Sequence, residues 1–123
     1  MKKGTYVDGF VLTVPKKRAA EYRKMATEGS KIWKKFGALD YKECVIDDEQ
    51  PKTVTFTFPK MAKAKKGEQV WFSYIVYKSR THRDAVSKKV MAYFSKQFAN
   101  GDFEMPNDPK KMAYGGFKAM VKA

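Results

Sequence analysis

Hydrophobic and polar positions alternate along the first part of the chain, and then the period changes. Between Thr5 and Val14, Tyr6, Asp8, Phe10 and Leu12 fall on one side of an extended backbone; Val7, Gly9 and Val11 fall on the other. Both sides carry bulky or apolar groups, so this first strand is expected to be covered on both faces. Pro15 suits the first turn of a helix, where its missing N–H is not needed. Ala19, Tyr22, Ala26, Gly29, Trp33 and Phe36 then recur at three- and four-residue steps, predicting an amphipathic helix over 16–36 that Gly37 closes. Leu39 to Asp47 reads as a second strand, ended by the acidic turn Asp47-Asp48-Glu49-Gln50-Pro51. Thr53 to Phe58 alternates Thr with Val54, Phe56 and Phe58 and reads as a short strand or an extended excursion; 59–67 is basic and turn-like. Val70 to Tyr77, rich in aromatic and β-branched residues, is the strongest strand. Thr81 with Asp84 fits a capping pattern, and Val86, Val90, Phe94 and Phe98 form the stripe of a second helix, stopped by Asn100-Gly101-Asp102. Met105 to Pro109 is a loop, and Met112 to Val121 is a last strand whose Gly115-Gly116 pair suggests a bulge or a close backbone approach.

The order β-α-β-(excursion)-β-α-β predicts an α+β fold: a ferredoxin-like split βαβ protomer, a single domain over 1–123. It has one four-stranded antiparallel sheet with both helices on one face. The other face would carry apolar residues of the first and third strands. Such a face is not left in water, and a second copy covers it most cheaply. The expected assembly is a homodimer, a dimeric α+β barrel with an interface above about 2,000 Å².

Composition narrows the class. In 123 residues, 43% are hydrophobic and 15% aromatic, which supplies a core and excludes collagen, a coiled coil and wholesale disorder. No stretch approaches the roughly 20 apolar residues that span a bilayer, Asp8 interrupts any signal-peptide core, and the expectation is a soluble cytoplasmic protein. Cys44 is the single cysteine; it excludes an internal disulfide and reads as a buried, inert thiol. Lys and Arg number 26 against 13 Asp and Glu, a net charge of +13. Lysine dominates, so the signal is a diffuse field that attracts polyanions. Lys31, Lys34, Lys35, Lys63, Lys65 and Lys66 are the candidate polyanion surface. Against nucleic-acid binding, the aromatics fall mainly on the periodic core faces, where they are not free to stack on bases, and no RNP-type signature is present.

Candidate chemistry is sparse. The polar groups able to line a pocket between sheet and helices are Asp8, Glu43, Ser73 and Tyr77 on strands and Arg83 at the second helix start. Asp8 among aromatic rings is a candidate general base, set against pairing with a basic neighbour. Glu43 is expected to pair with Arg83 as a structural bridge. His82 is the sole histidine; it reads as a solvent-facing or capping residue, and one His builds no usual metal site. No Walker loop, G-x-G-x-x-G, G-x-S-x-G or C-x-x-C motif occurs. No metal or cofactor is expected.

The fragments Tyr6-Val7-Asp8-Gly9-Phe10-Val11, Phe36-Gly37-Ala38-Leu39, Glu43-Cys44, Phe72-Ser73-Tyr74-Ile75, Arg83-Asp84, Met105-Pro106 and Met112 through Tyr114-Gly115-Gly116-Phe117 run in order along nearly the whole chain. Together they resemble the YbaA-like family, a bacterial family of unknown function. The resemblance implies a dimeric α+β barrel and no established reaction. The chain departs from the family pattern at Asn107, where Phe is usual, and at Lys111, where Arg is usual. Three functions follow as expectations: a small-molecule-binding or enzyme-like protein with a sheet–helix pocket, a polyanion binder, or a structural or stress dimer.

Overall fold

The computed structural model describes residues 4–99, 101 and 105–123. Strand β1 (Tyr6–Pro15) is central, pairing antiparallel with β3 (Glu68–Tyr77) on one side and with β4 (Ala113–Lys118) on the other. Strand β2 (Asp40–Val45) pairs antiparallel with β3, giving the order β2-β3-β1-β4. Helices α1 (Ala19–Lys35) and α3 (Arg80–Gln97) touch each other on one face of this sheet. This is the expected α+β arrangement, and its strand order is that of the split βαβ fold.

The sidedness of β1 follows its period of two. Tyr6, Asp8, Leu12 and Val14 are buried on the helix side, while Val7, Gly9 and Val11 are only partly covered on the other. Under α1, Tyr22 and Ala26 pack with Leu12, Val14 and Trp71; Tyr22 meets the Trp71 ring edge-on with centroids 5.0 Å apart. Under α3, Val86 and Val90 pack with Tyr6, Ile75 and Tyr77. Each of the Val, Leu and Ile side chains among them, fully buried, contributes about 1.5–3 kcal/mol.

Element ends differ from the periodic reading where backbone partners decide them. Pro15 finishes β1 instead of opening the helix. Its ψ of 131° is extended, and the next N–H, of Lys16, donates to Gly67 O at 2.8 Å. A 3-10 turn over Lys16–Arg18 then leads into α1. Gly37 closes α1 as expected: at φ 119° its N–H donates to Lys34 O and that of Ala38 to Trp33 O, a Schellman closure. Helix α3 is capped by Ser79 and not by Thr81, the Ser79 hydroxyl accepting from His82 N at 3.0 Å. It ends at Gln97; of the expected stop signal, Asn100 and Asp102 lie outside the described residues. The Val54/Phe56/Phe58 alternation makes no strand, because no neighbouring strand accepts it. Residues 46–67 form an excursion containing one short helix, α2 (Phe58–Met61), which touches β3.

Among the described residues, the face of the sheet away from α1 and α3 is covered only at one end, where Thr13 and Val70 are buried. Further along it Phe72 and Phe117 are exposed. The glycine pair in β4 makes no bulge, since register with β1 is unbroken from Tyr6↔Lys118 to Val11↔Ala113. It serves close approach. A Cβ on Gly116 would stand 2.9 Å from Tyr6 Cζ, and the Phe117 ring lies over Gly9 and Gly115. Cys44 also lies on this open face, opposite Phe72, and is exposed, not buried. An edge strand with an uncovered face cannot hide it.

Candidate functional site

Register brings the expected strand residues to the helix side of the sheet. Tyr6 stands opposite Tyr77, Phe10 opposite Ser73, and Ser73 opposite Glu43. They divide into two clusters that share no hydrogen bond.

The first cluster is a closed ion pair. Asp8 is 2% exposed, and Arg83 Nη1 donates to its Oδ1 at 2.7 Å. The Tyr114 hydroxyl donates to the same oxygen at 3.1 Å and also contacts Arg83 Nη1. The guanidinium lies 5.1 Å from the Tyr6 ring centroid, a cation–π contact, and its Nε donates to Asp84 at 2.8 Å. The Tyr77 hydroxyl is buried beside them; burial first, and then the charge of Asp8, holds it above the usual tyrosine range. His82 closes the helix start: its Nδ1 accepts from Lys78 N at 3.0 Å, which requires the neutral ring. Desolvation, then Lys78 and Lys89, hold its pKa below the usual value. The expected Glu43–Arg83 bridge does not exist. Arg83, on the first turn of α3, reaches β1 and not β2, and Asp8 takes it.

The second cluster surrounds Glu43. The Tyr22 hydroxyl, from α1, donates to its Oε1 at 2.9 Å, and the Tyr41 hydroxyl, two residues back on β2, donates to its Oε2 at 2.7 Å. Among the described residues no cation pairs with it. Burial raises the Glu43 carboxyl above the usual range, against the pull of the Tyr41, Tyr22 and Ser73 hydroxyls. Burial and the Glu43 charge push both phenols up in turn. The sequence reading missed both tyrosines: the i, i+2 spacing of Tyr41 and Glu43 on one strand face is a signal that could have found the first, whereas only the packing of α1 on β2 aims the Tyr22 hydroxyl.

Glu43 also lines a groove. A groove of about 420 Å³ runs between α1 and β2, bordered by Arg23, Thr27, Ser30, Tyr41, Lys42, Glu43 and Trp71. A second of about 620 Å³ adjoins it along Arg23, Thr27, Val45 and Trp71. Asp8, Ser73, Tyr77 and Arg83 border neither.

The candidate polyanion lysines are all exposed but do not form one patch. Lys34 donates to Leu39 O beside Val76, near one end of β3, whereas Lys63, Lys65 and Lys66 precede Glu68 at the other. Ten strand residues separate these ends by about 30 Å. Exposed aromatics, which the core-face reading did not anticipate, do occur: Phe56, Phe58, Phe72, Tyr114 and Phe117. Among the described residues no cluster of His, Cys, Asp and Glu is arranged to hold a metal ion, and no helix is long and apolar enough to cross a membrane.

Comparison with known proteins gives a family. Residues 5–109 match the family described as "Protein of unknown function (DUF1428)". The "Uncharacterized protein YbaA" of Escherichia coli K12 is 41% identical over 117 residues, covering 94% of this chain and 97% of that one. The protein of the same name in Shigella flexneri matches to the same extent. A solved structure, "De novo designed protein Foldit4", aligns over 95% of this chain and 98% of its own at 11% identity and a TM-score of 0.43. On the family match and the near full-length identity, the chain belongs to the DUF1428 family, that of the YbaA proteins.

Proposed function

We propose that the protein is a homodimeric small-molecule-binding protein whose site is the groove between α1 and β2, with Glu43 as its anchor. The observation that supports it is a carboxylate held by two phenol hydroxyls, raised by burial, with no counter-ion among the described residues, on the wall of a groove of about 420 Å³. A carboxyl in that state favours a ligand that brings a cationic or hydrogen-bond-donating group. It is also suited to taking a proton from the ligand and returning it, the enzyme-like step that needs no bound cofactor. Trp71 and Val45 offer the ligand an apolar surface beside the carboxyl. Asp8 is assigned a structural role, since Arg83 already neutralises it.

Dimerisation is argued from the uncovered sheet face, where Val7, Val11, Phe72, Tyr74, Val76 and Phe117 stand together around the glycine-lined centre. The polyanion reading is weaker, because its lysines are split between opposite ends of β3.

Native mass spectrometry after a high-salt wash tests both parts. A dimer carrying a small added mass, lost in Glu43→Gln and kept in Asp8→Asn, is the expected result. A bare wild-type dimer that also fails to bind any member of an amine and amide fragment library would sink the binding function and leave a structural dimer.

A further inference from the structure

The connection between β2 and β3 carries the strongest unused pattern. Antiparallel neighbours need only about 2–5 linking residues, and loops beyond about 12–15 are uncommon and usually functional. Here residues 46–67 intervene. Their charges are segregated. Asp47, Asp48 and Glu49 come first, all exposed, and among the described residues none of the three makes an ion pair or a side-chain hydrogen bond. Lys60, Lys63, Lys65 and Lys66 come last, also exposed; the single charge between the two blocks is the exposed Lys52, and no acidic residue stands there. Between the blocks stand Phe56, 69% exposed, and Phe58, 52% exposed. The excursion leaves and rejoins the sheet at the same end, with Ile46 N donating to Val70 O and Glu68 opening β3.

We infer that residues 46–67 are an arm that docks on a second copy of this chain, the acidic block of each protomer against the lysine block of the other and Phe56 and Phe58 against the partner's apolar surface. This rests on the dimer proposed above and assigns it a second contact. A twofold dimer requires an isologous interface, in which patch i meets patch j and j meets i. A segment bearing one acidic and one basic block meets that requirement by itself. The phenylalanines are placed where burial by the partner would remove them from water. Two copies each of net charge +13 repel, so a local attraction that orients them has a definite task. A nucleic acid or an anionic membrane would use the lysines but be opposed by the three unpaired acids at the root of the arm.

Two charge-reversed full-length chains test the arm. One carries Asp47→Lys, Asp48→Lys and Glu49→Lys; the other carries Lys60→Glu, Lys63→Glu, Lys65→Glu and Lys66→Glu. By sedimentation velocity, each alone is expected to dimerise at least about tenfold more weakly than wild type, since like charges now face each other. An equimolar mixture is expected to recover a heterodimer, because both crossed contacts become attractive again. Phe56→Ser with Phe58→Ser, checked for native circular dichroism, is expected to weaken the wild-type dimer without altering its salt dependence. A monomeric wild type overturns the arm together with the dimer. A wild-type dimer that both reversed chains match in affinity, or weakening that mixing does not relieve, overturns the arm alone. So does binding of oligo-dT or phosphatidylserine vesicles that the lysine-reversed chain loses while its dimer persists.

Discussion

Arg83, on the first turn of α3, and Asp8, in the middle of β1, form a buried ion pair with Nη1 and Oδ1 2.7 Å apart. The two groups are 13% and 2% exposed, so water does little to compensate either charge if the other is removed. Arg83→Ala is expected to cost about 3–5 kcal/mol of stability, because it leaves a buried, unpaired carboxylate. Adding Asp8→Asn to that variant should recover part of the loss. Urea denaturation of the double-mutant cycle measures the coupling; strict additivity would show that the pair contributes nothing.

Two glycines should respond in opposite directions. Gly116→Ala places a methyl group against the Tyr6 ring, which is itself held by Arg83, and overpacking of this kind costs about 1–3 kcal/mol. Gly29→Ala, inside α1 where the new Cβ would meet nothing within 4 Å beyond its chain neighbours and the helix's own backbone, should stabilise by about 0.5–1 kcal/mol. Thermal melts of the two variants check the contrast.

Lys63 occupies a position that favours glycine. It follows α2 at φ 55°, and its N–H donates to Lys60 O while that of Ala64 donates to Pro59 O. That is a Schellman closure with a lysine in the left-handed region, where a side chain costs about 1–2 kcal/mol. Lys63→Gly is expected to raise stability by about 1 kcal/mol. The bond from Lys111 Nζ to Lys63 O survives the substitution, since it uses the backbone carbonyl.

Asn107 is buried, and among the described residues neither atom of its side-chain amide has a partner. A buried, unsatisfied polar group costs about 1–3 kcal/mol. Asn107→Leu should therefore stabilise the protein by about that amount in chemical denaturation; a loss of stability would mean that the amide is satisfied.

Glu43 predicts a pH trend. Its folded carboxyl is raised above the usual value by burial, so between the unfolded and the folded value the folded chain holds a proton that the unfolded chain has released. The stability this contributes is complete below the unfolded value and is lost as pH rises through the folded one. Glu43→Gln removes that dependence. The stability of the variant relative to wild type should increase from pH 4 upward, level off above the folded value, and be visible in paired denaturation curves.

The periodicity of the chain determined much of this structure. A period of two over Tyr6–Val14, the aromatic and β-branched run Val70–Tyr77, and a period near 3.6 over Ala19–Phe36 and Val86–Phe98 were enough to place the two central strands and the two long helices, although Phe98 at the end of the last stripe is exposed. Apolar burial depends only on which side of its element a residue faces, and that is local information. Gly37 was legible for the same reason, since a helix end is closed within its own turn. Pairing between distant polar groups was not legible. Whether Arg83 meets Glu43 or Asp8 depends on which strand α3 crosses, and whether Tyr22 is core or an anchor for Glu43 depends on where α1 lies on β2. The exposure of Phe56 and Phe58 was hidden as well, because an alternating segment becomes a strand only if a neighbour offers its backbone. Those outcomes are set by long-range packing, so the tertiary structure alone decided them.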